Sequence, residues 1–186
     1  VGLLAQQALM SNPGAAIIHD PRMIWNTQDI VETHGGTAIQ AKTGHAFLKA
    51  AMRKHNAIYG GEMSAHHYFK DFMYCDSGMI PWLLIAELVS TSGQSLADLV
   101  KDRVKKFPSS GEVNFTIQDP ESAIQAVEKA LQSADAKISR ADGLSMDFGQ
   151  WRMNLRSSST EPLVRLNIES RGDKALVLEK LALVKE

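Results

Sequence analysis

Cysteine is almost absent from this chain of 186 residues: Cys75 stands alone, so no intrachain disulfide can form and nothing points to a secreted, disulfide-held scaffold. An excess of either charge is lacking too. A formal net charge of -1 gives no general reason for attraction to nucleic acid or acidic lipid, so any anion site must be local. No apolar run approaches the roughly 20 residues that span a bilayer, and the amino terminus has no basic segment followed by an apolar one. A cytoplasmic setting, with neither nucleic acid nor membrane as partner, is the default expectation. Internal repeats and low-complexity segments are missing as well. So is an initiator methionine: Val1-Gly-Leu-Leu already looks helical, which suggests a piece of a longer protein. What is there is ordinary globular material, 44% hydrophobic and 22% charged, enough for a core in one large domain or two small ones.

Leu3, Leu4, Ala8 and Leu9 share one helical face, and Asn12-Pro13-Gly14 stops that helix. Short apolar strands are expected at Ala15–Ile18, Thr37–Ala41 and Ala57–Tyr59. Helices lie between them, one starting at Asn26 and one capped by Thr43 and carrying Phe47, Ala50 and Ala51. Such alternation makes a short, mainly parallel sheet the natural solution, in an α/β three-layer domain. Two more helices follow. The first is capped by Ser77, with Ile80, Leu83, Leu84 and Leu88 inside; the second starts at Ser95, with Leu96, Leu99, Val100 and Val104 inside. Phe107-Pro108-Ser109-Ser110-Gly111 then breaks the pattern and reads as a linker that permits rotation, dividing the chain into domains 1–107 and 108–186. Beyond it the rhythm changes. Val113, Phe115 and Ile117 alternate as a strand, and Asp119-Pro120 opens a helix bearing Ile124, Val127 and Leu131. Several strands precede a last helix from Asp173 with Leu178 and Leu181. That pattern describes a small α+β domain with an antiparallel sheet and two helices.

Each expected strand of the first domain runs into a distinctive loop: Asp20-Pro21-Arg22, Lys42-Thr43-Gly44-His45 and Gly60-Gly61-Glu62-Met63-Ser64-Ala65-His66. Ligands of open α/β sheets bind beyond the carboxyl ends of the strands, so these loops describe a polar site suited to a sugar. Taken singly, Arg22 is a surface charge, Thr43 a helix cap, Glu62 a solvated carboxylate and His66 a loop histidine; their common edge is what favours a site. His66 and His67, with His45, Cys75 and Asp76, repeat no ligand spacing, and neighbours in an extended segment point to opposite faces, so no metal site is expected. In the second domain, Arg156-Ser157-Ser158-Ser159-Thr160-Glu161-Pro162 joins two alternating runs, Trp151/Met153/Leu155 and Val164/Leu166/Ile168, as a turn between half-buried strands. A turn needs no such collection of donors. One guanidinium fork, four hydroxyls and inward backbone amides suit a phosphate, the alternative being a solvated hairpin of ordinary turn formers.

Together these loops are recognisable. Gly61-Glu62-Met63-Ser64-Ala65-His66 resembles the sugar-binding loop of the α-D-phosphohexomutases, and Arg156 to Pro162 the phosphate-binding loop of their last domain. The run Gly60 to Leu84, with His66-His67-Tyr68 and Cys75-Asp76-Ser77-Gly78, is most similar to the bacterial phosphomannomutase branch. The resemblance covers the whole chain and implies that it holds the third and fourth of four domains surrounding one cleft. It implies sugar contacts for Glu62, Ser64, His66, Arg22 and His45, with His45 the one candidate for acid–base work. Phosphate contacts are implied for Arg156, Ser158, Ser159 and Thr160, where relatives commonly have Asn at position 159. Neither a Thr-Ala-Ser-His-Asn-Pro serine loop nor an Asp-Gly-Asp-x-Asp-Arg metal loop is present. The phosphoserine and Mg2+ of the parent enzyme would therefore be held by preceding domains, and this piece alone is expected to be inactive. The implied ligands are mannose 1-phosphate and mannose 6-phosphate. The alternatives are glucose phosphates and a non-catalytic sugar-phosphate sensing module.

Overall fold

The computed structural model describes residues 1–133, 135–158 and 161–185 and divides the chain into two compact units, Val1–Asp102 and Arg103–Glu186. The first unit follows the order α1 (Gly2–Ser11), β1 (Ala16–His19), α2 (Trp25–Thr33), β2 (Thr37–Gln40), α3 (His45–Lys54), β3 (Tyr59–Gly61), β4 (His67–Phe69), β5 (Cys75–Asp76), α4 (Met79–Ser92), with α5 (Leu96–Lys106) running across the division. Its sheet has the order β2-β1-β3-β4-β5. The first three strands are parallel, Ile17 pairing with Ala38 on one side and Tyr59 on the other, and β4 and β5 are added antiparallel. Successive β1 residues serve opposite faces. Ile17 packs with Leu4, Leu9 and Val31 in one apolar cluster, and Ile18 with Leu48 and Met52 in another. Helices α1, α2 and α4 thus cover one face and α3 the other. Right-handed crossovers require α2 and α3 to lie on opposite faces, because the chain moves one way from β1 to β2 and back past β1 to β3.

Several expectations need correction here. Gly60 and Gly61 belong to β3 rather than to the loop after it; a Cβ on Gly60 would lie 2.8 Å from Met52 Sδ, so the packing of α3 calls for glycine there. Thr43 does not cap α3. Gly44 holds that position with φ 119, and its N–H bonds to a side chain from another loop, described below. Ser77 does receive the Ile80 N–H, at 3.3 Å. Leu83 is exposed, as are Met79 and Trp82, because the inward face of α4 is set by Ile80, Leu84, Ile85 and Leu88. In α5, Leu96, Val100 and Val104 are exposed as well, and no residue of that helix is buried.

The second unit continues with β6 (Ser109–Thr116), α6 (Pro120–Ala130), β7 (Lys137–Ser139), β8 (Leu144–Asp147), β9 (Trp151–Ser157), β10 (Leu163–Ser170) and α7 (Lys174–Lys185). All strand pairings are antiparallel, in the order β6-β10-β9-β8-β7. Leu144, Met146, Trp151, Met153, Leu155, Val164, Leu166 and Ile168 form one apolar face under Ile124 and Val127 of α6 and Val177, Leu181 and Val184 of α7. Leu178 is exposed, since the inward stripe of α7 runs through Val177 instead. Asp119 caps α6 by accepting the Ser122 N–H at 3.1 Å.

The expected linker is not loose. Ser109–Gly111 lie within β6, the Pro108 carbonyl accepts the Ser170 N–H at 3.0 Å, and Ser110 Oγ accepts the Ile168 N–H at 2.9 Å. The Ser-Gly cluster that looked like punctuation is an irregularity in the β6–β10 register, with Gly111 at φ 67.

Candidate functional site

In an order of β2-β1-β3 the chain runs outward from β1 to β2 and then back past β1 to β3, and the crevice beyond the carboxyl end of β1 lies between the loops after β1 and β3. Those loops are stitched together. Asp20, buried at the end of β1, accepts the Met63 N–H at 2.8 Å and the Arg22 Nε–H at 2.8 Å through Oδ2, which also receives Arg22 Nη2. Arg22 Nη2 reaches Ser64 Oγ at 3.4 Å, and Ser64 Oγ lies 3.0 Å from His66 Nδ1. The turn itself closes through the Glu62 N–H on the His66 carbonyl at 3.0 Å, with Ala65 forced to φ 65. A left-handed alanine at a loop of this kind is a local strain that the surrounding bonds must hold.

Glu62 is the centre of the arrangement. It is only 4% exposed, yet its carboxylate is supplied with donors from two directions: the Gly44 N–H at 2.8 Å and the Tyr68 hydroxyl at 2.7 Å. The loop after β2 is thereby tied to the loop after β3, and β4 backs both. Burial and the bond to Glu62 push the Tyr68 phenol far above its ordinary value. Around these groups lies a pocket of about 410 Å³ lined by Gly44, His45, Lys49, Glu62, Ser64, His66, Tyr68 and Asp76.

Four of the five residues expected to face a sugar, Glu62, Ser64, His66 and His45, are therefore in one lining. Arg22 is not. It is buried against Asp20, and its contact is with Ser64. Lys49, Tyr68 and Asp76 were missed. Lys49 lies one helical turn beyond His45 and Tyr68 on the short strand β4, signals too local or too brief for a periodicity argument. His67 points elsewhere, its Nδ1 2.8 Å from the buried Tyr59 hydroxyl; burial above all pushes it down to about 4. Among the described residues no three His, Cys, Asp or Glu side chains come together to hold a metal ion.

In the second unit, Arg156 is the penultimate residue of β9, not part of a loop. Its strand partner in β10 is Arg165, which sequence reasoning missed because strand register is not visible locally. Both guanidinium groups reach Glu112 of β6, Arg156 Nη2 at 3.3 Å and Arg165 Nη1 at 3.5 Å. The Ser158 N–H closes the hairpin on the Leu163 carbonyl at 2.8 Å. Ser159 and Thr160, also expected to hold phosphate, lie outside the described residues.

Comparisons with known proteins come down on both halves. The family model described as phosphoglucomutase/phosphomannomutase, alpha/beta/alpha domain III, matches residues 1–107, and that for the C-terminal domain matches residues 112–184. The chain is 60% identical to a phosphomannomutase of Salmonella montevideo over 177 residues, 95% of this chain and 39% of that protein. It is 59% identical to the phosphomannomutase of Escherichia coli strain K12, again over 95% of this chain and 39% of that protein. A solved phosphoglucomutase/phosphomannomutase family protein from Burkholderia thailandensis superimposes with a TM-score of 0.73 at 28% identity, over 98% of this chain and 39% of the other. The N-acetylphosphoglucosamine mutase of Aspergillus fumigatus, solved with GlcNAc-6P and magnesium, shares the fold at a TM-score of 0.58 and 12% identity, over 98% of this chain and 44% of the other. The chain spans about two-fifths of the length of the curated relatives it matches.

Proposed function

Because this chain belongs to the phosphoglucomutase/phosphomannomutase family, matching its third and C-terminal domains, we propose that it is the substrate-holding part of a phosphomannomutase. The parent reaction on this reading moves a phosphoryl group between the 6 and 1 oxygens of mannose, by way of a phosphoserine and a bisphosphorylated sugar that turns round. Phosphoserine and magnesium would reside in parts of the parent outside this chain. On this reading the two family domains are residues 1–107 and 108–186.

The observation that carries the reading is the single lining shared by Glu62, Ser64, His66 and His45 at the carboxyl edge of the parallel strands. A sugar that must bind in two orientations needs donors and acceptors for hydroxyls placed alike either way round. Glu62 supplies a fixed acceptor, since its partners Gly44 and Tyr68 leave lone pairs on both oxygens. Ser64 and His66 supply a donor–acceptor couple, held in place through Arg22 and Asp20. Arg156, Arg165 and Ser158 supply the contacts for the phosphate that is not being transferred. Phosphoryl transfer depends on positioning and charge neutralisation, so groups remote from the reacting atom still act on the rate.

Calorimetry tests this directly. The folded chain is expected to bind mannose 6-phosphate or mannose 1-phosphate weakly, near millimolar, and Glu62→Ala and Arg156→Ala are each expected to weaken binding at least tenfold. Absence of heat with either ligand, from protein shown to be folded, would refute it. Glucose 6-phosphate in parallel reports whether the sugar site prefers mannose.

A further inference from the structure

Arg156 and Arg165 are directly opposite each other on antiparallel strands, where two like charges repel. Glu112 is what makes this tolerable, giving Oε2 to Arg156 and Oε1 to Arg165. Its grip is loose. Contacts of 3.3 and 3.5 Å are longer than the roughly 2.7–2.9 Å of a well-formed charge-assisted bond, and all three side chains keep some access to water. The same sheet face holds an instructive contrast: Arg152 and Glu169 meet at 2.8 Å with each side chain 2% exposed. That pair is built to stay shut. The Glu112 carboxylate is shared between two cations, and Arg165 also reaches the largely exposed Glu161 at 3.3 Å. Among the described residues, Arg156 Nε and Arg165 Nε are moreover buried without a hydrogen-bond acceptor, so both guanidinium groups retain donors to give.

We propose that Glu112 is an internal competitor for the anion site, a specificity-determining residue whose carboxylate must be displaced from Arg156 and Arg165 before a phosphate takes them. A ligand carboxylate gains little by replacing an identical group already tethered in place. A dianionic phosphate, with three acceptor oxygens, wins the exchange. Glu112 thus rejects carboxylates and weak monoanions at the cost of some affinity for phosphate. This rests on the reading that Arg156 holds phosphate.

The test is a titration of the folded chain with inorganic phosphate and with acetate at low salt, followed by NMR at the Arg156 and Arg165 Nε–H signals. On the unmodified chain phosphate should shift both signals and acetate neither. Glu112→Gln should bind phosphate roughly fivefold more tightly and begin to respond to acetate, the size expected for removing a partly exposed charge pair. Glu112→Asp, which withdraws the carboxylate by one methylene, should fall between the two and decides the matter if the Gln variant fails to fold. Unchanged or weaker phosphate binding in both variants overturns the proposal and makes Glu112 a brace for the arginines. If phosphate leaves the unmodified chain undisturbed, or Arg156→Ala binds it as well, the phosphate reading itself falls and takes this inference with it.

Discussion

At the scale of single residues, the decisive polar groups are ones whose chemistry depends on partners far away in sequence. Glu62 reads locally as a solvated carboxylate; it is a buried one because Gly44 and Tyr68 supply its donors. The glutamate was legible as a candidate from its loop, whereas its burial and partners were not, since nothing local reports a bond across eighteen positions. His67 offers a residue-scale prediction. Folding holds it down to about 4 against an ordinary value of 6.5, so between those values the unfolded chain binds a proton that the folded chain refuses. Its contribution is therefore complete above about pH 6.5 and lost progressively as the pH falls toward about 4. Urea midpoints measured across that window should drop with acidification, and His67→Gln should flatten the slope; an unaltered slope would assign the acid sensitivity elsewhere.

At the scale of elements, the helix–strand alternation of the first unit and the alternating apolar runs of β9 and β10 were readable, because a buried face imposes its period on the chain. Strands β4 and β5 escaped notice for the opposite reason: three and two residues are too few to show a period. The exposed stripe of α5 marks the limit of pattern reading, which shows that a face is apolar without showing what covers it. Glycine provides the test at this scale. Gly143 at φ 68 has no room for a Cβ, which would lie 2.5 Å from the Leu155 carbonyl oxygen, while Gly149 at φ 82 has nothing nearby. Gly149→Ala should cost about 1 kcal/mol, the strain of a left-handed alanine, and Gly143→Ala at least about twice that, by chemical unfolding. Equal losses at the two sites would mean that the β7–β8 turn, which holds Gly143, yields easily.

At the scale of the whole molecule, each unit has apolar clusters of its own among the described residues, two in Val1–Asp102 and one in Arg103–Glu186. The Arg152–Glu169 pair allows the second to be weakened selectively. Arg152→Met removes the cation 2.8 Å from a buried carboxylate and should cost about 3–5 kcal/mol, most of it recovered when Glu169→Leu is added. Amide exchange should then quicken throughout β8, β9 and β10 while Ile17 and Ile18 of β1 keep their protection. Simultaneous loss at β1 would show that the units unfold as one.

The buried polar layer of the second sheet carries a last consequence. Arg152, Asn154, Asn167 and Glu169 alternate with apolar neighbours on β9 and β10, so sliding either strand by a single position would drive ions into oil and hydrocarbon into the ionic layer. Such a hairpin is locked below its tip. The pairing of Arg156 with Arg165 is thereby set from inside the sheet, by buried residues two and four positions away along each strand.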